Sequence, residues 1–404
     1  MGSIGAFYHA GVTALDLEGL LDAAEPAMVE IRHDLHAHPE LAFAEHRTTS
    51  VITARLAELG WTLHPPPTAT GAVATLEGAG PGARVMLRAD IDALPVDEAV
   101  AVPWRSVFPG VMHACGHDVH TAALLGVAEV LARAREHLAG SFTLVFQPAE
   151  EAIGGARAMI AGGLLENHPA DALLGAHAAS VLPLGVVATR PGVLMSRGTL
   201  WRIRLEGAGG HGAMASTRGN VVLAASALAP RLGEAVEGLT YDGTACACSA
   251  GVLAAGTKEN VVPTLAHLAG TLRTFTEDQF DEGRRRLGEL VASIAEEFGV
   301  RAVLEVTDST PPVANDPRVT AVVCAAARDL LGSEGVLEAP PVTPSDDVAE
   351  LLARVPGCYL LVGGALADGT SGMHHSPDFA LEDATCRVQA GVLAAGAVAL
   401  GSGE

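Results

Sequence analysis

The stretch His113-Ala114-Cys115-Gly116-His117-Asp118-Val119-His120 holds the side chains of this chain best suited to chemistry, together with Glu150-Glu151, His177 and His374-His375 further along. Thiolate and imidazole both suit zinc. In an extended segment side chains two apart project the same way, so Cys115 and His117 are expected to face one site. The neighbouring carboxylates Glu150 and Glu151 add what a hydrolytic metal site also needs, one ligand and one general base. A lone histidine among the 16 is more often a hydrogen-bonded core or surface residue than a ligand. Three His and one Cys within eight residues, in a loop of Gly and Ala, have no evident packing purpose. The chemistry expected is metal-assisted hydrolysis.

The elements that must position these groups read as α/β. Helical periodicity runs from about Leu17 to Gly60, and Pro65-Pro66-Pro67 ends it. Val73 to Leu76 and Ala83 to Leu87 read as strands, the second leading into Asp90 and Asp92. Thr121 to Leu138 reads as a helix after the His/Cys loop, and Phe142 to Phe146 as an apolar strand leading into Glu150-Glu151. Acids that follow strands lie where open α/β sheets bind ligands. Gly154-Gly155, with no lysine beside it, reads as a turn before a helix over Ala156 to Ile160. The pattern changes near Gly185. Strand, helix, strand, strand, helix and strand then follow over Trp201–Leu205, Val221–Val236, Ala245–Leu253, Leu265–Arg273, Phe280–Phe298 and Ala302–Val306, the order of a ferredoxin-like module. Since α/β signals resume at Val319, the expectation is a discontinuous α/β catalytic domain, 1–190 and 311–404, with an inserted ferredoxin-like α+β domain, 191–310.

Composition narrows the function classes. A chain of 404 residues with 49% hydrophobic content is long enough for two cores. A net charge of −22 repels nucleic acid phosphates and anionic lipid, which leaves a small molecule as the expected partner. Lys258 is the only lysine and no Gly-x-x-x-x-Gly-Lys run exists, which disfavours Schiff-base enzymes and P-loop nucleotidases. Six scattered cysteines read as reduced thiols, and Cys246 and Cys248, two apart in an alternating run, as small buried strand residues. Met1 to Leu20 lacks a signal-peptide pattern and no segment reads as a membrane span, so a cytoplasmic protein is expected.

Taken in order, the motifs resemble the M20 metallopeptidases, specifically the amidohydrolase branch that includes N-acyl-amino-acid, indole-acetyl-amino-acid and hippurate hydrolases. The matching segments are Arg32 to Leu41, Leu87 to Pro95, His113 to His120, Gln147 to Glu151, Gly209 to Ala213, Asn260 to Pro263, Gly270 to Thr274, Ser345 to Asp347 and His375 to Pro377. The resemblance implies two divalent metal ions held by Cys115, His117, Glu151, His177 and His375, with Glu150 as general base. Zinc follows from ligand softness, and manganese, cobalt or nickel also suit such sites. The resemblance further implies that His211 stabilises the oxyanion from a partner subunit's smaller domain, that Asn260 and Arg273 hold the substrate carboxylate, and that the enzyme is a homodimer through the inserted domain. Asp92 is expected to orient a ligand histidine, Asp90 to be structural, and His113 and His120 to hydrogen-bond around the site.

The expected reaction is cleavage of an N-acyl amino acid to a carboxylate and a free amine. A dipeptidase or aminobenzoyl-glutamate-type hydrolase would use the same chemistry. A non-catalytic binder of acylated amino acids would lack Glu150 or several ligands, and all are present. Two departures from the family pattern stand out. Ala215-Ser216 replaces a Pro-His pair, and Ala178-Ala179-Ser180 replaces a bulky Val-Trp-Pro segment, which together predict an altered acyl pocket.

Overall fold

The computed structural model describes residues 15–403. The amino-terminal reading falls mostly on residues 1–14, outside the described residues. The chain divides into two compact units. The first comprises the chain up to Gly192, Ala314–Ala339 and the chain from Glu350 onward; the second comprises Val193–Val313 and Pro340–Ala349.

The first unit is built on an eight-stranded sheet in the order Thr62–His64, Ala72–Glu77, Ala139–Gln147, Gly80–Asp90, Ala172–Pro183, Gly357–Ala365, Val187–Thr189, Val336–Glu338. Its four middle strands, from Ala139–Gln147 to Gly357–Ala365 in that order, run parallel. Their apolar runs, such as Val85-Met86-Leu87 and Leu144-Val145-Phe146, are buried, as expected of strands covered on both faces. Register aligns Arg88 with both Val145 and Gly175, and Asp90 with Gln147. The carboxyl ends of Gly80–Asp90 and Ala139–Gln147 therefore lie level, while Ala172–Pro183 runs on past its last pairing with Gly80–Asp90 at Gly175, so that His177 lies within this strand just beyond them. Helix His117–Ala134 packs on helices Leu17–Ala37 and Thr385–Ser402. It is buried on almost every side, which suits its nearly continuous apolar sequence.

The second unit has its own core around Trp201, Ile203, Leu205, Leu272, Leu287 and Ile294. Four antiparallel strands, Ala247–Ala255, Leu265–Thr274, Arg197–Glu206 and Arg301–Ser309 in sheet order, combine with helices Val221–Leu228 and Glu277–Phe298. The chain order is β-α-β-β-α-β, as the sequence pattern predicts. A reciprocal Thr276/Gln279 cap starts the longer helix and left-handed Gly299 ends it.

Three local expectations need correction. The periodic segment Leu17 to Gly60 is two helices, Leu17–Ala37 and His46–Glu58, because Pro39 has no amide hydrogen to donate and forces the residue before it out of helical geometry. The helix predicted over Val221 to Val236 is α-helical only to Leu228 and continues as a 3₁₀ segment across Pro230. The strand predicted from Ala245 breaks at Cys246, although Cys246 and Cys248 are both buried as expected.

Candidate metal centre

The turn that brings Cys115 and His117 together differs from the extended segment expected. Gly116 takes φ 93°, a left-handed conformation that glycine adopts without penalty, and His117 is the first residue of the following helix. Cys115 thus lies in the turn and His117 on the helix. The His117 Nδ1–H donates to the Asp92 carbonyl oxygen at 2.8 Å, which aims Nε2 into the site. That Nε2 is buried without a hydrogen-bond partner, 3.9 Å from Glu151 Oε1. His177 donates Nδ1–H to the Ala178 carbonyl at 2.7 Å and brings Nε2 to 3.4 Å from Cys115 Sγ. His375, in a left-handed conformation at φ 67°, has its amide on the Ala114 carbonyl and its Nε2 3.3 Å from Glu151 Oε1.

The donor atoms of Cys115, His117 and His177 lie within 4.8 Å of one another, as do those of Cys115, Glu151 and His375, and those of His117, Glu150 and Glu151. The first two sets share Cys115. All five expected ligands and the expected base thus converge in the first unit. An orphaned buried imidazole nitrogen beside a thiol and two carboxylates is a donor set that fits divalent cations of borderline softness.

Electrostatics point the same way. Burial works against charge on His117, but Asp90, Asp92 and Glu151 outweigh it and raise its pKa to about 10. Burial pushes the Cys115 thiol well up, with Glu151, Glu150 and Asp90 adding to the shift. Asp90 is held well below the usual carboxylate range despite burial, by His117, Arg88 and His120. Without a cation, protons on imidazole and thiol balance the clustered acids; metal binding replaces those protons.

Two buried carboxylates fix the loop that carries Glu150 and Glu151. Asp92 accepts the Glu150 amide at 3.0 Å and the Glu151 amide at 3.1 Å, while Glu45 accepts the Ala149 amide at 2.9 Å. Ala149 itself sits at φ 54°. Glu45 and its role were missed in the sequence; three consecutive amides next to two acids give no linear signal. His120 has both nitrogens occupied, donating to Asp90 at 2.6 Å and accepting the Ala178 amide at 2.8 Å. Also missed was the buried group behind the ligand helix. His36 bridges Asp118 at 3.0 Å and Glu98 at 3.2 Å, and Arg32 reaches Asp118 at 3.4 Å. The motif Arg32-His33-Asp34-Leu35-His36, with two polar residues one helical turn apart, was the available signal.

In the second unit His211 and Asn260 are neighbours. The short strand Gly210–His211 pairs with Val261–Val262, and the Gly212 amide donates to the Asn260 carbonyl at 2.8 Å. Arg273 is not with them. It stands near the far end of strand Leu265–Thr274, hydrogen-bonded to Ser345, ~27 Å along at ~3.4 Å per residue.

Buried Glu150 and partly buried Glu151 beside overlapping metal-donor sets fit the centre of a metal-dependent hydrolase. Residues 86–397 match the model of peptidase family M20/M25/M40. The chain is 34% identical over 363 residues to N-acetyl-L-cysteine deacetylase of Bacillus subtilis (strain 168), covering 90% of this chain and 85% of that protein. It is 34% identical over 362 residues to IAA-amino acid hydrolase ILR1-like 2 of Arabidopsis thaliana, covering 88% and 81%. The crystal structure of the Bacillus subtilis YXEP protein, a dinuclear metal binding peptidase from the M20 family, superposes with a TM-score of 0.77 at 30% identity, covering 93% of this chain and 98% of that one. The chain belongs to peptidase family M20/M25/M40 and is a metal-dependent hydrolase of amide C–N bonds. Among the described residues no helix is long and apolar enough to cross a membrane.

Proposed function

We propose that this protein hydrolyses N-acyl amino acids to a carboxylate and a free amine, with two divalent cations, zinc by ligand softness, held by Cys115, His117, Glu151, His177 and His375. The observation that carries this reading is the convergence of these donor atoms with Glu150 in one place in the first unit. When bound, such cations acidify a water and polarise the acyl carbonyl. Glu150, buried and held by its own amide on Asp92, takes the proton from that water and returns it to the departing amine. Asp92 keeps the His117 ring and the Glu150-Glu151 backbone in register. N-acetyl-L-cysteine deacetylase and the IAA-amino acid hydrolase, whose names describe acylated amino acids, support the substrate class.

His211 stabilises the developing oxyanion, and it does so in a second copy of the chain, so that the enzyme works as a homodimer through the smaller unit. The exposure of His211 supports this, as does its pairing with Asn260 away from Arg273. Asn260 and Arg273 hold the substrate carboxylate, Arg273 through its planar fork. Because the two are far apart in one chain, they are drawn from different copies. Catalysis takes place in the cytoplasm, where six unpaired cysteines stay reduced. The deciding experiment is amine release from a panel of N-acyl amino acids, dipeptides and aminobenzoyl-glutamate, with Glu150→Ala beside wild type. Cleavage of an N-acyl amino acid by wild type alone, with equal metal in both proteins, is the expected result. Preference for a dipeptide would replace the substrate class, and equal rates in both proteins would remove Glu150 as the base.

A further inference from the structure

The segment Ala178-Ala179-Ser180 is buried and supplies no metal-donor side chain. Its backbone, however, addresses three histidines. The Ala178 carbonyl accepts Nδ1–H of His177 at 2.7 Å, the Ala178 amide donates to Nε2 of His120 at 2.8 Å, and the Ser180 amide donates to Nε2 of His374 at 3.5 Å. A ring nitrogen that accepts a hydrogen bond carries no proton, and a neutral imidazole has one N–H. Each ring's tautomer is thereby set.

The consequences for the two rings nearest Cys115 are opposite. His177 has Nδ1 protonated, so its Nε2, 3.4 Å from Cys115 Sγ, presents a lone pair. His374 has Nε2 occupied as an acceptor, so its Nδ1, 3.8 Å from the same sulfur, presents a proton. Consistent with this, His177 belongs to a group of converging metal donors and His374 belongs to none among the described residues. The ring is held by Phe379, with centroids 4.7 Å apart, and by His177, 5.3 Å away.

We propose that His374 is a positioning residue that donates an Nδ1–H···S hydrogen bond to the Cys115 thiolate, with its tautomer set by the Ser180 amide. Such a bond draws charge from the sulfur, tunes its donation to a metal and fixes its direction. The inference rests on the reading of Cys115 as a metal ligand.

Cobalt(II)-loaded protein tests both. The thiolate-to-cobalt charge-transfer band of wild type should disappear in Cys115→Ser. In His374→Leu the band should move to longer wavelength, because the sulfur lone pair is no longer stabilised, and cobalt affinity should fall about tenfold with stoichiometry unchanged. His374→Asn, whose amide N–H falls near the Nδ1 position, should return the band most of the way. An unmoved band in fully loaded His374→Leu would reduce His374 to packing. Loss of one cobalt per chain in both His374→Leu and His374→Asn would make it a ligand. No charge-transfer band in fully loaded wild type would overturn the reading of Cys115 itself. If His374→Leu does not fold, His374→Asn against His374→Gln decides, since glutamine reaches the Nε2 position instead; identical bands in the two would overturn the proposal.

Discussion

Replacing Asp92 by asparagine removes a charge with almost no change in volume, and the geometry sets what that should cost. The carboxylate accepts two amides, Glu150 at 3.0 Å and Glu151 at 3.1 Å, and its Oδ1 lies 3.4 Å from His117 Nδ1. Asparagine can accept only one of the two amides; the other would face its NH₂ group in a site that is 1% exposed. The loss of a charge-assisted hydrogen bond, ~1.5–3 kcal/mol, combines with a buried unsatisfied donor, ~1–3 kcal/mol. A destabilisation of about 3 kcal/mol in the metal-free protein is therefore expected. Metal affinity should fall about 10–100-fold, as for other groups that orient a ligand. Because the same amides hold Glu150, kcat at saturating metal should stay roughly 100-fold low, the scale of a ~1 Å misplacement. The assays are chemical unfolding of metal-free protein, cobalt titration against a chelating dye, and steady-state amide hydrolysis with excess metal. Wild-type stability together with cobalt affinity within about twofold of wild type would refute the assignment of Asp92 as the anchor of the site.

Burial opposes charge on His36, but Asp118 and Glu98 raise its pKa to about 9. A raised pKa contributes stability that is complete below the unfolded value of ~6.5 and is lost as pH rises through about 9, at most about 3 kcal/mol. Unfolding midpoints of wild type and His36→Gln should thus differ at pH 6 and approach one another by pH 10; a constant gap would contradict this sign. Gly116→Ala places a Cβ at φ 93° and 3.0 Å from Leu381 Cδ1. A loss of ~1–2 kcal/mol from the left-handed backbone is expected, with weaker cobalt binding because Cys115 and His117 flank the turn; calorimetry and cobalt titration check both. Chelation of metal should abolish hydrolysis and raise the pH needed to alkylate Cys115, whose thiol is pushed up by burial and by neighbouring acids; reactivity that does not change on chelation would place the metals away from this sulfur.

What the sequence made legible follows a physical division. The convergence of the donor side chains with Glu150 was readable because Cys, His and paired Glu at short spacing have few other uses, and because parallel strands deliver loop residues to one edge of a sheet. The β-α-β-β-α-β order was readable because period-two and period-3.6 patterns alternate cleanly from Trp201 to Val306. What stayed hidden depends on tertiary contacts. No periodicity indicates that Glu45 turns away from the start of its own helix to hold the Ala149 amide, 104 residues along the chain. The extended reading of Cys115 to His117 failed because a single left-handed glycine can end a loop and start a helix within one residue.

The same division bears on how the site is built. The identity of the converging side chains is local, but their direction is set by backbone carbonyls: that of Asp92 for His117, that of the adjacent Ala178 for His177 and that of Ala114 for the turn at His375. A main-chain carbonyl accepts a hydrogen bond irrespective of the side chain its residue bears, so the tautomer of His177 does not depend on the identity of residue 178. Ala178 is fully buried beside the Gly116 turn, so it is at Ala179 that side-chain size is expected to shape the pocket without disturbing the metal donors. Substitutions there should move substrate preference and leave metal stoichiometry alone. Loss of metal from Ala179→Val, whose backbone role is nil in this network, would show that packing and ligand direction are not separable.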